Sequence, residues 1–149
     1  MRFSLLVLLA LAAVAPARAQ VSFVPMVGYD FDYKAAQIGL GFELGITPGI
    51  LPAAISLRPS VEYVFAGEGV DVIRGNADLI GRFSVVGVPF APYAKAGVAA
   101  EFVSPDSGDS NTEFGLNLGV GAEVNRFLVE GTLGIGNISS GRIAVGYRF

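Results

Sequence analysis

Twelve charged residues recur along this chain at positions that leave room for chemistry: Glu43, Arg58, Glu62, Asp78, Arg82, Lys95, Glu101, Glu113, Glu123, Glu130, Arg142 and Arg148. Interleaved hydroxyls at Ser56, Ser60, Ser84 and Thr132 would be nucleophiles if a base stood beside them. The sequence contains no histidine and no cysteine. The commonest general base and zinc ligand is therefore missing, and the hydroxyls read more simply as small polar fillers. Seven acids and five bases remain, and what they can do without a catalytic partner is pair with one another. In the stretch DSGDSN, Asp106, Asp109 and Asn111 carry oxygen ligands that could suggest calcium, but an acidic solvated loop is the simpler and favoured reading. Gly-x-Gly runs such as GVG lack the strand-turn-helix setting of a nucleotide site.

The elements that hold these charges have a period of two. Over residues 37–46, Ile38, Leu40, Phe42, Leu44 and Ile46 alternate with Gln37, Gly39, Gly41, Glu43 and Gly45, and residues 112–124 repeat the pattern. Strict alternation is the signature of a strand with unlike faces. Six further segments fit the template: residues 23–31, 55–65, 76–85, 92–102, 126–135 and the closing GRIAVGYRF. Each is near the ~10 residues with which a tilted strand crosses a bilayer. The expectation is an all-β fold, an eight-stranded antiparallel up-and-down transmembrane β-barrel. Pro25 and Pro59 fall inside strands, where a missing N–H suggests bulges.

Alternation alone does not say which face meets water. A soluble lipocalin-like binding barrel alternates as well, with its apolar face inside. Here the polar face is rich in glycine, which weakens a solvated strand but makes room inside a narrow barrel. All twelve charges sit on that face, and the apolar face of the same segments carries none. A charge facing lipid at mid-bilayer costs roughly 2–4 kcal/mol, so the apolar face is expected outside, in lipid, and the charges in the lumen. The connecting segments alternate too: polar, acidic links after strands 1, 3, 5 and 7, and short or proline-bearing links after strands 2, 4 and 6, the loop-and-turn alternation of outer-membrane barrels.

At the N-terminus, Met1-Arg2-Phe3 leads into an apolar run over residues 5–14 and an Ala17-Arg18-Ala19 site ahead of Gln20. This predicts a secretory signal peptide over residues 1–19, removed to leave one barrel domain over residues 20–149. The mature chain keeps eight of ten bases and all thirteen acids, a net charge of −5, which gives no reason to expect a nucleic-acid partner. Without cysteine, no disulfide holds an exported domain together.

The segments APYAKAGVAAEF, FGLNLGVGAEV, RFLVEGTLGIGN and the terminal GYRF resemble the small outer-membrane β-barrel family of OmpX and OmpA type, often labelled porin-family proteins, over essentially residues 21–149. The resemblance implies a bacterial outer-membrane location. It also implies that the alternating last strand, with Ile143, Val145, Tyr147 and the final Phe149, is read by the barrel-assembly machinery, while Tyr147 and Phe149 join an aromatic girdle at the periplasmic interface. Lipid-modifying enzymes share this architecture, and those similar to it use a serine activated by histidine, a base this chain lacks. The expected function is non-enzymatic: a monomer with a charge-plugged lumen, no cofactor and outer-membrane lipid as its surroundings, in a structural or surface-contact role. The alternative is a small-solute pore, disfavoured because eight strands enclose only enough space for side chains.

Overall fold

The computed structural model describes residues 21–47, 53–67 and 69–149; the expected signal peptide lies outside the described residues. Eight strands follow one another in chain order: β1 (Val21–Asp30), β2 (Ala35–Gly45), β3 (Ala53–Val64), β4 (Val70–Phe83), β5 (Ala91–Pro105), β6 (Asn111–Val124), β7 (Phe127–Gly136) and β8 (Gly141–Tyr147). Each pairs antiparallel with its neighbours, and β8 returns to β1 through Met26 opposite Gly146 to Asp30 opposite Arg142, closing the barrel. Closure leaves no sheet edge around the wall, the condition for a sheet to cross lipid.

Alternation fixes the faces as expected. Away from the strand ends the outward side chains are apolar and uncovered, for example Val27, Ile38, Leu79, Val98, Leu118, Val120, Leu133 and Ile143. Phe114 is 70% and Val120 68% exposed. A continuous apolar band around the whole wall cannot stand in water; its solvent is a bilayer. Rings sit at the two rims of this band. On one rim Phe42, Phe23, Phe149, Tyr147 and Phe127 form a chain of edge-on or tilted contacts with centroids 4.7–6.1 Å apart. Tyr29 with Phe31 and Tyr63 with Phe65 occupy the other. The one charge on the outer face of the strands is Asp71, near the start of β4, where it accepts a hydrogen bond from Tyr63.

Both prolines interrupt a ladder without shifting it. Pro25 lies opposite Leu40 in a β1–β2 register that runs unbroken from Val21 to Asp30, and Pro59 lies opposite Ala77 in an equally regular β3–β4 pairing. The β2–β3 pairs skip Phe42 and Glu43, across from Pro59 and Arg58, and resume in the same register. The bulges expected from the sequence are not there: each ring sits on the lipid-facing side, and only local bonding to one neighbour is lost.

The sequence expectation placed residues 66–75 in a loop, but the chain re-enters the wall at Val70. β4, β5 and β6 run 14, 15 and 14 residues against 7 in β8, so the strands of one side outreach those of the other. The links at this end, acidic in the first three cases and uncharged in the fourth, are correspondingly short, at residues 31–34, 65–69, 106–110 and 137–140, rather than the longer loops anticipated. They form what is called the mouth below. The opposite end carries the start of β1 at Val21, the C-terminal Phe149 and the two-residue turn of Asn125 and Arg126, whose φ values of 50° and 72° are those of a type I′ hairpin.

Candidate functional site

Among the described residues the lumen is where polar groups are concentrated away from solvent, and it is layered. Nearest the C-terminus and the Asn125–Arg126 turn, Arg82 grips Glu43 with Nη1 at 2.6 Å and Nη2 at 3.2 Å and reaches Glu123 with Nε at 3.1 Å. Arg148 binds Glu123 from the other side at 2.5 and 3.0 Å, and Ser56 donates to Glu43. Above them lies an apolar layer of Val24, Met26, Ile80, Tyr93 and Leu128. Gly121 is required here, because a Cβ at that position would strike the Tyr93 ring. The Tyr93 hydroxyl leads into the next polar layer through a 2.9 Å bond to Glu130.

In that layer Glu130 is shared by Arg58 and by Lys95, whose Nζ lies 2.7 Å from Glu130 and 3.1 Å from Asp78. Arg58 spends Nη2 on Glu130, but its Nε and Nη1 have no protein acceptor. An amide ladder follows. Asn117 donates to Asn76 and Asp78, Asn76 donates to Ser60, and Arg142 Nη2 donates to Asn117 and Asn76 at 2.9 and 3.2 Å.

The densest cluster lies under the mouth. Arg74, fully buried, donates from all three of its nitrogens: Nε to Glu101 at 2.8 Å, Nη1 to Glu62 at 2.9 Å and to Gln37 at 3.3 Å, Nη2 to Asp30 at 2.7 Å. Glu101 also accepts from the Tyr33 hydroxyl at 2.5 Å, and Asp30 from Ser139 Oγ at 2.7 Å. Burial, reinforced by the Glu101 contact, pushes the Tyr33 phenol well above its ordinary range and keeps it a donor. Ala35, Val64 and Val72, flanked by Tyr33, Ala66, Val70 and Val103, cover the cluster with an apolar cap.

Eleven of the twelve charges expected in the lumen are brought together in these layers. Glu113 is not: it is half-buried at the mouth, where Asn111 Nδ2 donates to it at 3.0 Å, because β6 at that height has outrun its β7 partner. The sequence reading missed Arg74, which lies between the expected strands at residues 55–65 and 76–85, and Asp30, which lies inside the expected strand at residues 23–31 but was not among the twelve lumen charges. The signal for Arg74 was present in its even spacing from Asn76, Asp78 and Arg82. Of the expected terminal set, Ile143, Val145 and Tyr147 point outward on β8. Phe149 lies two residues past the end of β8, 66% exposed, its N–H bonded to Phe23 O at 2.9 Å across the seam. Ser56, Ser60 and Thr132 are buried; Ser56 donates to Glu43, a carboxylate already bound by Arg82, Ser60 accepts from Asn76, and Ser84 lies outside the barrel wall. Among the described residues, no group of three His, Cys, Asp or Glu side chains is placed to hold a metal ion.

A closed eight-stranded barrel with an apolar belt, aromatic rims and an ion-paired interior defines the class: it has the fold of the small outer-membrane β-barrels. Solved structures share that fold at low sequence identity. The N-terminal β-barrel domain of Pseudomonas aeruginosa OprF superposes with a TM-score of 0.59 at 20% identity, covering 89% of this chain and all of that domain. Neisserial surface protein A gives 0.53 at 13%, with 87% and 94% covered, and the outer membrane enzyme PagL 0.53 at 14%, with 85% and 96% covered. No protein-family model and no curated protein sequence matches the chain.

Proposed function

We propose that this chain is exported by a cleaved leader at residues 1–19 and serves as a monomeric, non-enzymatic integral protein of the bacterial outer membrane, with a closed lumen and a structural or surface-contact role. The start of β1, the C-terminal Phe149 and the Asn125–Arg126 turn face the periplasm, and the acidic mouth faces outward. The observation that carries the reading is the run of ion pairs spanning the lumen at three heights, around Arg82, Glu130 and Arg74, with apolar layers between and above them. Each guanidinium fills space that a solute would need. PagL shows that an enzyme can sit on this fold; here the absence of histidine and the ion-paired or hydrogen-bonded state of the lumen carboxylates support a non-catalytic interior. In biogenesis, Ile143, Val145, Tyr147 and Phe149 are the segment recognised by the assembly machinery, and outer-membrane lipid is the lasting partner.

Two measurements on one preparation test this. Protein from purified outer membranes is run unheated and boiled on a gel, then reconstituted in planar bilayers. A heat-dependent mobility shift with no steady conductance is expected. Steady ohmic channels would replace the closed lumen with the pore reading, and recovery in the soluble periplasmic fraction would overturn the membrane assignment.

A further inference from the structure

The β7–β8 link does not project from the mouth. Ile138 and Ser139 are buried, folded back over the Arg74 cluster. The inner wall is shaped to receive them: a Cβ on Gly134 would collide with the Ser139 carbonyl, and one on Gly115 with the Ile138 side chain. Gly136, at φ 111°, turns the chain inward, and Gly134 N donates to Ser140 O at 3.0 Å. On its other side the link is held by carboxylates. Ser139 Oγ donates to Asp30, while Ser140 donates twice to Asp32, through its backbone N at 2.6 Å and its Oγ at 2.7 Å.

These two carboxylates are in different situations. Asp30 is buried and fixed by Arg74. Asp32 is exposed in the β1–β2 turn, and Ser140 supplies its hydrogen bonds. We propose that residues 137–140 form an acid-released lid, latched over the Arg74 cluster while Asp32 carries its charge and freed when that charge is lost. A neutral carboxyl must donate its own O–H, so it no longer offers two ionic acceptors to the two Ser140 donors. The link itself has no titratable side chain. The groups around the latch are Asp30, Tyr33 and Lys34 from the β1–β2 region, Glu62 on β3, Arg74 on β4, Glu101 on β5, Glu113 on β6 and Arg142 on β8.

The Ser140 bonds hold the Asp32 carboxyl below the usual carboxylate value. The latch is therefore complete above that usual range and is lost as the pH falls through the lower, latched value. The lid stays shut at neutral and mildly acid pH and opens only in strong acid.

Amide hydrogen exchange of the natural chain in lipid nanodiscs, followed by NMR at pH 7, 5 and 3, reads this directly. Results are expressed as protection factors so that the pH dependence of intrinsic exchange divides out. Between pH 5 and 3 the protection of Ser139, Ser140 and Gly134 is expected to fall severalfold, the most that losing one carboxylate charge can give over that interval, while Leu128 and Val145 keep theirs. Asp32→Asn should produce the same fall at pH 7 and flatten the profile. Unchanged Ser140 protection at pH 3 overturns the proposal. So does a simultaneous loss in the strands, which would mean global unfolding rather than a lid, and so does an Asp32→Asn protein that keeps the natural pH profile.

Discussion

Replacing Arg74 by alanine removes one cation and leaves Asp30, Glu62 and Glu101 facing one another in a space sealed by Val64 and Val72. Breaking a single buried pair in this way costs about 3–5 kcal/mol, because the remaining charge has neither water nor partner. Three carboxylates do not triple the figure. Asp30 keeps Ser139, Glu101 keeps Tyr33, and Glu62 keeps Arg142 Nε at 3.6 Å. A loss of about 4 kcal/mol corresponds to nearly a thousandfold in the folding equilibrium. Arg148→Ala supplies the internal scale: its side chain is 33% exposed, and its partner Glu123 keeps a contact with Arg82, so a loss of at most about 1 kcal/mol is expected. Urea titration in phospholipid vesicles, with the folded fraction read from unheated gel mobility, measures both. Arg74→Ala/Glu101→Gln should recover part of the loss by removing one stranded charge. Equal, small effects for Arg74→Ala and Arg148→Ala, below about 0.5 kcal/mol, would show that the cluster is hydrated and that the pairing argument fails.

Phe149→Ala should lower outer-membrane abundance in cells while the purified protein still refolds in detergent with its heat-dependent mobility. Normal abundance would remove the recognition role, and failed refolding would make the ring contacts with Phe23 and Tyr147 structural. Arg126 holds φ 72° in the type I′ turn, a conformation that disfavours a Cβ by about 1–2 kcal/mol. Arg126→Gly is therefore expected to raise the urea midpoint by the equivalent of about 1 kcal/mol, and a lower midpoint would refute the turn argument.

The wall was legible in the sequence because lipid imposes one rule on every strand: in Phe114, Leu116, Leu118 and Val120 the outward positions are apolar without exception. The interior obeys no such rule, and that is where the reading fell short. Val24, Met26, Ile80 and Leu128 are apolar on the inner face, packed in a layer that alternation cannot distinguish from outward residues. At the start of β4 the polarity inverts, with Val70 and Val72 inside and Asp71 outside, so the segment resembled a loop and took Arg74 with it. Ile138 and Ser139 enter the lumen from a link of four residues, and nothing local marks that. The partners of each charge depend on which strands face one another across the barrel, a property of closure rather than of spacing.

The wall's own hydrogen bonds join only adjacent strands, and a tube built from ladders alone can flatten like an empty hose. The lumen contacts join strands that are not neighbours: Arg74 ties β4 to β1 and β2, Arg58 ties β3 to β7, Arg82 ties β4 to β2 and β6, and Arg142 ties β8 to β4 and β6. Mechanically these are spokes, crossing at several heights and in several directions. Lateral pressure from the surrounding bilayer is then borne by rigid struts rather than by the bending stiffness of the sheet, and the cross-section keeps its shape as the membrane around it is compressed or thinned.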